Sequence, residues 1–164
     1  MDKLDVVNSK VRSLDQLLPM VNIWKFQGNK IVFTNGCFDL LHLGHIDYLA
    51  KAASMGNKLI IGVNTDQSVS ELKGAARPIT DQHSRTLILA SLFFVDAVVL
   101  FGEATPLNLI TAIKPDILVK GADYTIDKIV GADVVMQNGG EVKTITYIDG
   151  YSTTAIERKI REAK

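Results

Sequence analysis

The chain has 164 residues, 47% of them hydrophobic, which is enough to bury the core of one compact domain covering residues 1–164. Its 18 basic residues match its 18 acidic residues, so no overall positive field is available to hold a long polyanion such as tRNA or DNA, and any phosphate binding must be local. The single cysteine cannot form an internal disulfide, and no leader or run of about 18 apolar residues occurs, so we expect a soluble, cytoplasmic protein without nucleic-acid or membrane partners.

The first 29 residues predict a helical lead-in. Residues 1–11 show little pattern, but Ser13 and Gln16 have the spacing of a capping box at the start of a helix. Pro19 is a weak point in that helix. Its apolar positions recur at helical spacing and are Leu14, Leu17, Leu18, Val21 and Trp24.

Five short apolar segments follow, and they predict buried parallel strands. In chain order they are KIVFTNG, KLIIGVN, AVVLF, DILVKG and EVKTITYI. Helix-period segments lie between them. The clearest is HIDYLAKAASMG, for which we predict an inward face of Ile46, Leu49, Ala50 and Ala53 and a C-terminal cap at Gly56. Thr105 and Pro106 are predicted as the N-cap and first residue of another.

This alternation predicts an α/β fold for residues 30–164, the catalytic core. We expect a doubly wound, Rossmann-like open sheet of about five parallel strands with helices on both faces. In such sheets, ligands bind at the carboxyl ends of the strands, where the strand order reverses.

Two histidines directly follow the first predicted strand of this core. His42 and His45 are three residues apart and would share one face of the first helical turn. The free N–H groups and positive dipole end of that turn favour an anion, and Gly44 would let a phosphate approach the backbone. Two imidazoles would add directed donors that stabilise charge on a reacting phosphate.

Other interpretations of the same residues remain open. Paired histidines also ligate zinc, although zinc usually needs a third protein ligand, and histidines can simply pack. The phosphate-binding patterns G-x-x-x-x-G-K-[ST] and G-x-G-x-x-G do not occur.

Three further segments carry polar residues at predicted sheet edges. Lys73, Arg77 and Arg85 either clamp phosphates or lie in a solvated surface loop. Lys120 and Gly121 end the fourth predicted strand. Ser152, Thr153 and Thr154 open the last helix, where Thr154 and Glu157 have capping-box spacing and the extra hydroxyls suit phosphate oxygens.

The stretch GCFDLLHLGHIDYL resembles the signature of the cytidylyltransferase-like family of nucleotidyltransferases. In that family H-x-G-H binds a nucleoside triphosphate and supports attack on its α-phosphorus, and a Gly-x-Ser-Thr-Thr element serves the β and γ phosphates. Class I aminoacyl-tRNA synthetases share H-x-G-H, but they are much longer and carry a lysine-serine signature that is absent here.

The resemblance implies roles for individual residues. Catalytic roles fall to His42, His45 and Lys73. Sugar-phosphate binding falls to Asp39, Asp66, Arg77 and Arg85, although Asp39 also suits an ordinary turn. Nucleotide binding falls to Thr34, Asn35, Gly36, Cys37, Phe38, Gly44, His45, Lys120, Gly121, Asp123, Gly150, Ser152, Thr153 and Thr154.

Several segments, among them LKGAARPI and KPDILVKGADY, are similar to the heptose 1-phosphate adenylyltransferase branch of the family. That branch joins ATP and a heptose 1-phosphate into ADP-heptose and pyrophosphate for lipopolysaccharide or related glycans. The resemblance implies a homodimer, Mg²⁺ held mainly by nucleotide phosphates rather than by a protein metal site, and a stand-alone domain supplied by a separate sugar kinase.

One position departs from the branch pattern, and two rival functions remain. Ala122 stands where the branch has a second glycine, which would cost about 1 kcal/mol if that backbone required positive φ. Nucleotide choice is therefore open. The rivals are a cytidylyltransferase acting on glycerol 3-phosphate or another alcohol phosphate, and a nucleotide-binding module without turnover.

Overall fold

In a computed structural model that describes residues 2–163, the chain forms a six-stranded parallel sheet flanked by helices. The strands are β1 (Val11–Arg12), β2 (Ile31–Gly36), β3 (Lys58–Asn64), β4 (Ala97–Phe101), β5 (Ile117–Gly121) and β6 (Glu141–Ile145). Their order is β1-β4-β3-β2-β5-β6. The predicted doubly wound α/β fold is confirmed, with one strand more than expected.

Helices cover both faces of this sheet because the strand side chains alternate between two apolar clusters. Ile31 and Phe33 of β2 belong to one cluster, and Val32 between them belongs to the other. The helices are α1 (Lys3–Asn8), α2 (Leu14–Phe26), α3 (Leu43–Ala53), α4 (Asp66–Lys73), α5 (Gln82–Ser91), α6 (Leu107–Ile113), α7 (Ala132–Gln137) and α8 (Thr153–Glu162), with a 3₁₀ turn at Ile126–Lys128. Helices α2, α6 and α7 pack on the first face, and α3 and α5 pack on the second.

The strand order reverses between β2 and β5. From β2 the chain builds β3 and β4 on one side, and then crosses to place β5 and β6 on the other. A crevice therefore opens between the carboxyl ends of β2 and β5, which is where ligands bind in sheets of this kind.

The lead-in contains structure that its sequence did not indicate. Helix α1 and the short strand β1 both precede Ser13, and β1 extends the sheet by pairing with β4 through Val11 and Val98. A two-residue strand is too short to show an alternating pattern. The capping box of Ser13 and Gln16 is confirmed, and α2 runs through Pro19 without interruption.

The buried face of α3 differs from the prediction. Tyr48, Leu49 and Ala52 are buried, whereas Ile46, Ala50 and Ala53 are only half-buried. The helix is rotated so that Tyr48 reaches the sheet, where its hydroxyl lies 2.8 Å from the hydroxyl of Thr34.

Three predicted helix ends are also wrong. Gly56 does not cap α3; it allows a close approach, since a Cβ there would lie 2.9 Å from the carbonyl oxygen of Lys30. Pro106, not Thr105, is the N-cap of α6. Ser152 is the N-cap of α8 and its hydroxyl accepts from the Ala155 amide, so Glu157 is not part of a capping box.

Among residues 2–163, no helix combines the length and apolar character that crossing a bilayer requires.

Candidate functional site

A cavity of about 670 Å³ lies at the carboxyl ends of β2 and β5, within the size range of ligand-binding sites. The predicted site residues that line it are Asn35, Gly36, Cys37, Phe38, Asp39, His42, His45, Lys73, Lys120, Gly121, Ser152, Thr153 and Thr154. Those that lie outside its lining are Thr34, Gly44, Asp66, Arg77, Arg85, Asp123 and Gly150.

The two histidines form a stack at the start of α3. His42 is the N-cap and His45 lies in the first turn, and their ring centroids are 3.8 Å apart with planes tilted by 25°. The Nδ1 atoms of both rings are buried without a hydrogen-bond partner in the chain. Buried polar atoms are normally paired, so these two nitrogens call for a partner from outside the chain, such as an ordered water or a ligand.

Both histidines are uncharged at neutral pH. Burial, reinforced by the neighbouring His42 and by Lys73, lowers the pKa of His45 to about 4, while the Leu40 carbonyl acts weakly in the opposite direction. Burial also lowers the pKa of His42. Each ring therefore acts as a neutral hydrogen-bonding group and not as a cation.

The loop between β2 and α3 is shaped around this stack. Phe38 has a left-handed backbone with φ 50°, which is uncommon outside glycine, and its ring centroid lies 5.4 Å from that of His45. A Cβ at Gly44 would lie 3.1 Å from the His42 ring and 3.3 Å from Tyr151 Cβ. Glycine at position 44 thus makes room for the histidine stack.

Lys120 brings a half-buried cation to the cavity from the end of β5. Its ammonium donates to Asn35 Oδ1 at 2.5 Å, which ties the carboxyl ends of β2 and β5 together across the switch point. Burial lowers the pKa of Lys120 to about 8, although the nearby Asp123 opposes the shift. Lys120 is mostly protonated at pH 7 and places positive charge in the crevice.

Asp39 anchors the loop that joins α4 to α5. Its buried carboxylate accepts hydrogen bonds from the amides of Ile79 (2.8 Å) and Thr80 (2.9 Å) and from Arg77 Nε (2.5 Å). Burial alone would raise the pKa of Asp39, but the bonds from Thr80, Ile79 and Arg77 outweigh it and lower the pKa. Because its oxygens make these bonds, the Asp39 carboxylate holds the loop between α4 and α5 in place.

Arg85 is buried and acts as a strut, meaning that its hydrogen bonds connect the same loop to the cavity wall. Its Nη1 donates to the Cys37 carbonyl at 2.5 Å, Nε to the Thr80 carbonyl at 3.0 Å, and Nη2 to Asp66 at 2.8 Å. The side chain is 0% exposed. The structure therefore places Arg85 and Asp66 behind the cavity, where they position the loop.

Lys73 and Arg77, the other two basic residues predicted to bind phosphate, differ in their position relative to the cavity. Lys73, the last residue of α4, is exposed and lines the cavity. Arg77 lies outside the cavity lining, with Nε on Asp39 and Nη1 3.6 Å from Glu157 of α8.

Tyrosines form part of the cavity wall that the sequence did not reveal. Tyr48 and Tyr147 stack with centroids 5.4 Å apart, and Tyr147 covers Gly121 so closely that a Cβ there would overlap its ring and the carboxylate of Asp123. The glycine at position 121 is needed for this packing. Ala122, next along the chain, is not among the residues with positive φ, so alanine is unstrained there.

Further residues of the wall follow the other strands. They are Asn64, Leu72, Phe101, Ala104, Thr105, Pro106, Tyr124, Lys128, Ile129, Val130 and Tyr151. Asn64 could have been found, since it is a polar residue at the end of a predicted strand. The tyrosines carried no such signal.

The donor set of the cavity suits a metal held by a ligand's phosphates. Within residues 2–163, no group of three or more His, Cys, Asp or Glu side chains has metal-binding geometry. Asp39 is the acidic residue of the described lining, and its oxygens are occupied by the loop. A Mg²⁺ ion would therefore take its ligands from phosphate oxygens and water.

The sheet order and the switch-point cavity define a Rossmann-like fold. The family model described as cytidylyltransferase-like matches residues 33–159, and the chain belongs to this family. The predicted family is confirmed.

Two curated relatives are bacterial proteins named bifunctional protein HldE. That of Methylobacillus flagellatus is 52% identical over 151 residues, covering 92% of this chain and 31% of the relative. That of Geobacter sulfurreducens is 51% identical over 156 residues, covering 95% and 32%. The chain thus spans about a third of the length of the curated relatives it matches.

Two crystal structures are similar in fold. A lipopolysaccharide core biosynthesis protein from Thermoplasma volcanium is 30% identical with a TM-score of 0.58, over 76% of this chain and 99% of that one. A pantoate-beta-alanine ligase from Francisella tularensis has a TM-score of 0.62 at 19% identity, over 93% and 77%, and supports the fold alone.

Proposed function

We propose that the protein transfers AMP from ATP to a sugar 1-phosphate, D-glycero-D-manno-heptose 1-phosphate being the best candidate, and releases pyrophosphate. The observation that carries the proposal is the stack of two neutral histidines with unpartnered Nδ1 atoms. It faces a cavity that also collects Lys120 and the Ser152–Thr154 hydroxyls. The similarity to the HldE proteins supports the choice of substrate.

In the proposed reaction, a phosphate oxygen of the sugar 1-phosphate attacks the α-phosphorus of ATP in line. The new P–O bond forms as the bond to the β-phosphate oxygen breaks, and pyrophosphate leaves with the electron pair. The attacking phosphate is already an anion, so the step needs no general base. Catalysis then consists of positioning and charge stabilisation.

Each part of the cavity has a role in this proposal. His45, assisted by His42, donates to the α-phosphate as negative charge builds there. The exposed N-terminus of α8, with its hydroxyls, binds the β and γ phosphates, since free N–H groups and the helix dipole favour anions. The residues that surround the nucleoside are Asn35, Gly36, Cys37, Phe38, Lys120 and Gly121.

We propose different roles for the acidic and basic residues in and around the loop that joins α4 to α5. Lys73, which lines the cavity, contacts a phosphate directly. Asp39, Asp66 and Arg85 position the loop through the bonds that their side chains make inside the chain. Bound Mg²⁺ would neutralise charge on the phosphate oxygens that hold it.

The setting of the reaction is part of the proposal. The HldE relatives are named bifunctional, and about two thirds of their length lies outside the region that this chain matches. We propose that a sugar kinase supplies the sugar 1-phosphate. We further propose a homodimer working in the cytoplasm, where ATP is available.

Pyrophosphate release tests the reaction and its substrates together. We expect release in the presence of Mg²⁺ when ATP is combined with heptose 1-phosphate, and no release with CTP, GTP or UTP. Glycerol 3-phosphate serves as the second acceptor. Release with CTP and glycerol 3-phosphate alone would contradict the assigned substrates, and triphosphate binding without release for any acceptor would indicate a binding module.

The pH dependence of kcat/KM for ATP tests the charge state of the histidines, because this constant reports groups of the free enzyme. The pKa of His45 is about 4, so its ring stays neutral as the pH falls from 7 to about 6, an interval in which Lys120, with a pKa of about 8, stays mostly protonated. We expect kcat/KM to stay flat over this interval. A rise toward pH 6 would mean that a protonated imidazole is the active form.

A further inference from the structure

Arg77 is held between two carboxylates in the structure, outside the cavity. Asp39 Oδ2 lies 2.5 Å from its Nε, and Glu157 Oε2 lies 3.6 Å from its Nη1. The arginine side chain is only 14% exposed. Two flanking negative charges make a guanidinium a poor ligand for a third anion, since like charges disfavour one another at this range.

The two carboxylates are not equally fixed. Asp39 is 1% exposed and bonded to the loop backbone, so it cannot leave Arg77 without releasing that loop. Glu157 is 29% exposed, and its distance to Arg77 exceeds a hydrogen bond. Its other oxygen already contacts Arg161 Nη2 at 2.5 Å, one turn further along α8. Glu157 can therefore leave Arg77 while keeping a cationic partner.

Helix α8 links this ion pair to the phosphate-binding end of the cavity. Thr153 and Thr154 in its first turn line the cavity, and Glu157 follows on the next turn. Between Thr153 and Glu162 the helix buries no residue. A small movement of α8, or of the Glu157 side chain alone, changes the charge around Arg77 without disturbing the core.

We propose that Glu157 gates Arg77: in the empty protein the Glu157 carboxylate occupies the Nη side of the guanidinium, and an arriving acceptor phosphate displaces it, so that the Nη atoms of Arg77 contact the phosphate while Nε stays on Asp39 and Glu157 stays with Arg161. The inference rests on the proposed function, and it places the acceptor phosphate at the cavity wall next to Arg77, whose partner Asp39 lines the cavity. It assigns a positioning role to Glu157, which acts through Arg77.

Binding of inorganic phosphate, measured by calorimetry on the nucleotide-free protein at low salt, tests the gate. Glu157→Gln should tighten phosphate binding by about two- to five-fold, which is the range expected for a partly exposed ion pair. In turnover, the KM for the acceptor should fall by the same factor while kcat is unchanged. Glu162→Gln is the matched control, because Glu162 has the same charge on the same helix but pairs with Arg158.

A double variant shows whether the effect passes through Arg77. In an Arg77→Gln background, Glu157→Gln should have no further effect on phosphate binding. Weaker or unchanged binding in the single variant would overturn the gate, as would a gain that persists without Arg77 or that Glu162→Gln reproduces. The calorimetric measurement needs no turnover, so it tests the gate separately from the proposed reaction. If the protein shows the expected change in phosphate binding but releases no pyrophosphate, the gate is supported and the proposed reaction is contradicted.

Discussion

Replacing His45 with alanine should lower turnover by about two to three orders of magnitude, which is the cost of removing one donor to a developing oxyanion. His45 is the residue whose ring stacks on His42, packs near Phe38 and lines the cavity. A neutral ring that donates only in the transition state should affect kcat more than KM for ATP. Steady-state pyrophosphate release, with circular dichroism to check folding, measures this.

His83 provides a matched control for that variant. It is an exposed histidine near the start of α5 and lies outside the cavity lining. His83→Ala should leave kcat within about two-fold of the unchanged protein, since substitutions at exposed positions seldom act at a distance. A folded His45→Ala protein with near-normal turnover would remove His45 from the proposed mechanism.

Replacing Arg85 with methionine should destabilise the protein by about 2–5 kcal/mol. The substitution keeps an apolar stem but leaves the carbonyls of Cys37 and Thr80 without their donor and removes the partner of Asp66. Asp66 is 40% exposed and can be hydrated, so the larger part of the loss comes from the two carbonyl groups. Urea denaturation without ligands gives the free energy of unfolding.

Two further variants test whether Arg85 stabilises the fold through its buried hydrogen bonds. Arg85→Lys keeps the charge, but a lysine ammonium cannot reach all three acceptors. The free energy of unfolding of this variant should therefore lie between those of the unchanged protein and of Arg85→Met. Arg158→Met removes an arginine that is 72% exposed and should change stability by no more than about 0.5 kcal/mol. If Arg85→Met unfolds at the same urea concentration as the unchanged protein, Arg85 is not a strut.

Much of the fold follows from local sequence. The five longer strands were predicted because each is a short apolar run and the runs recur at fairly even intervals, as with KLIIGVN and AVVLF. Strand β1 was missed because its pairing with β4 depends on tertiary structure and two residues carry no periodicity. The face of α3 was predicted one position out of phase, since the bond between Tyr48 and Thr34 joins residues on different elements.

The site was predictable where its residues adjoin one another in the sequence. His42 and His45 were placed correctly on one helical turn because their spacing alone determines this. The role of Arg85 was not predictable, because a charged residue in a polar segment looks exposed unless its buried partners are known. The contact of Tyr147 with Gly121 likewise joins two strand-end loops that are distant in the chain.

The anchoring of the loop between α4 and α5 by Asp39 and Arg85 has a consequence for affinity at the proposed site. Ordering a mobile loop around a ligand would cost about 1–2 kcal/mol for each backbone residue that becomes fixed. Here the backbone at Ile79 and Thr80 is already fixed by Asp39 and Arg85 before any ligand binds. That conformational entropy is lost during folding, so a larger share of the contact energy with the ligand remains as binding affinity.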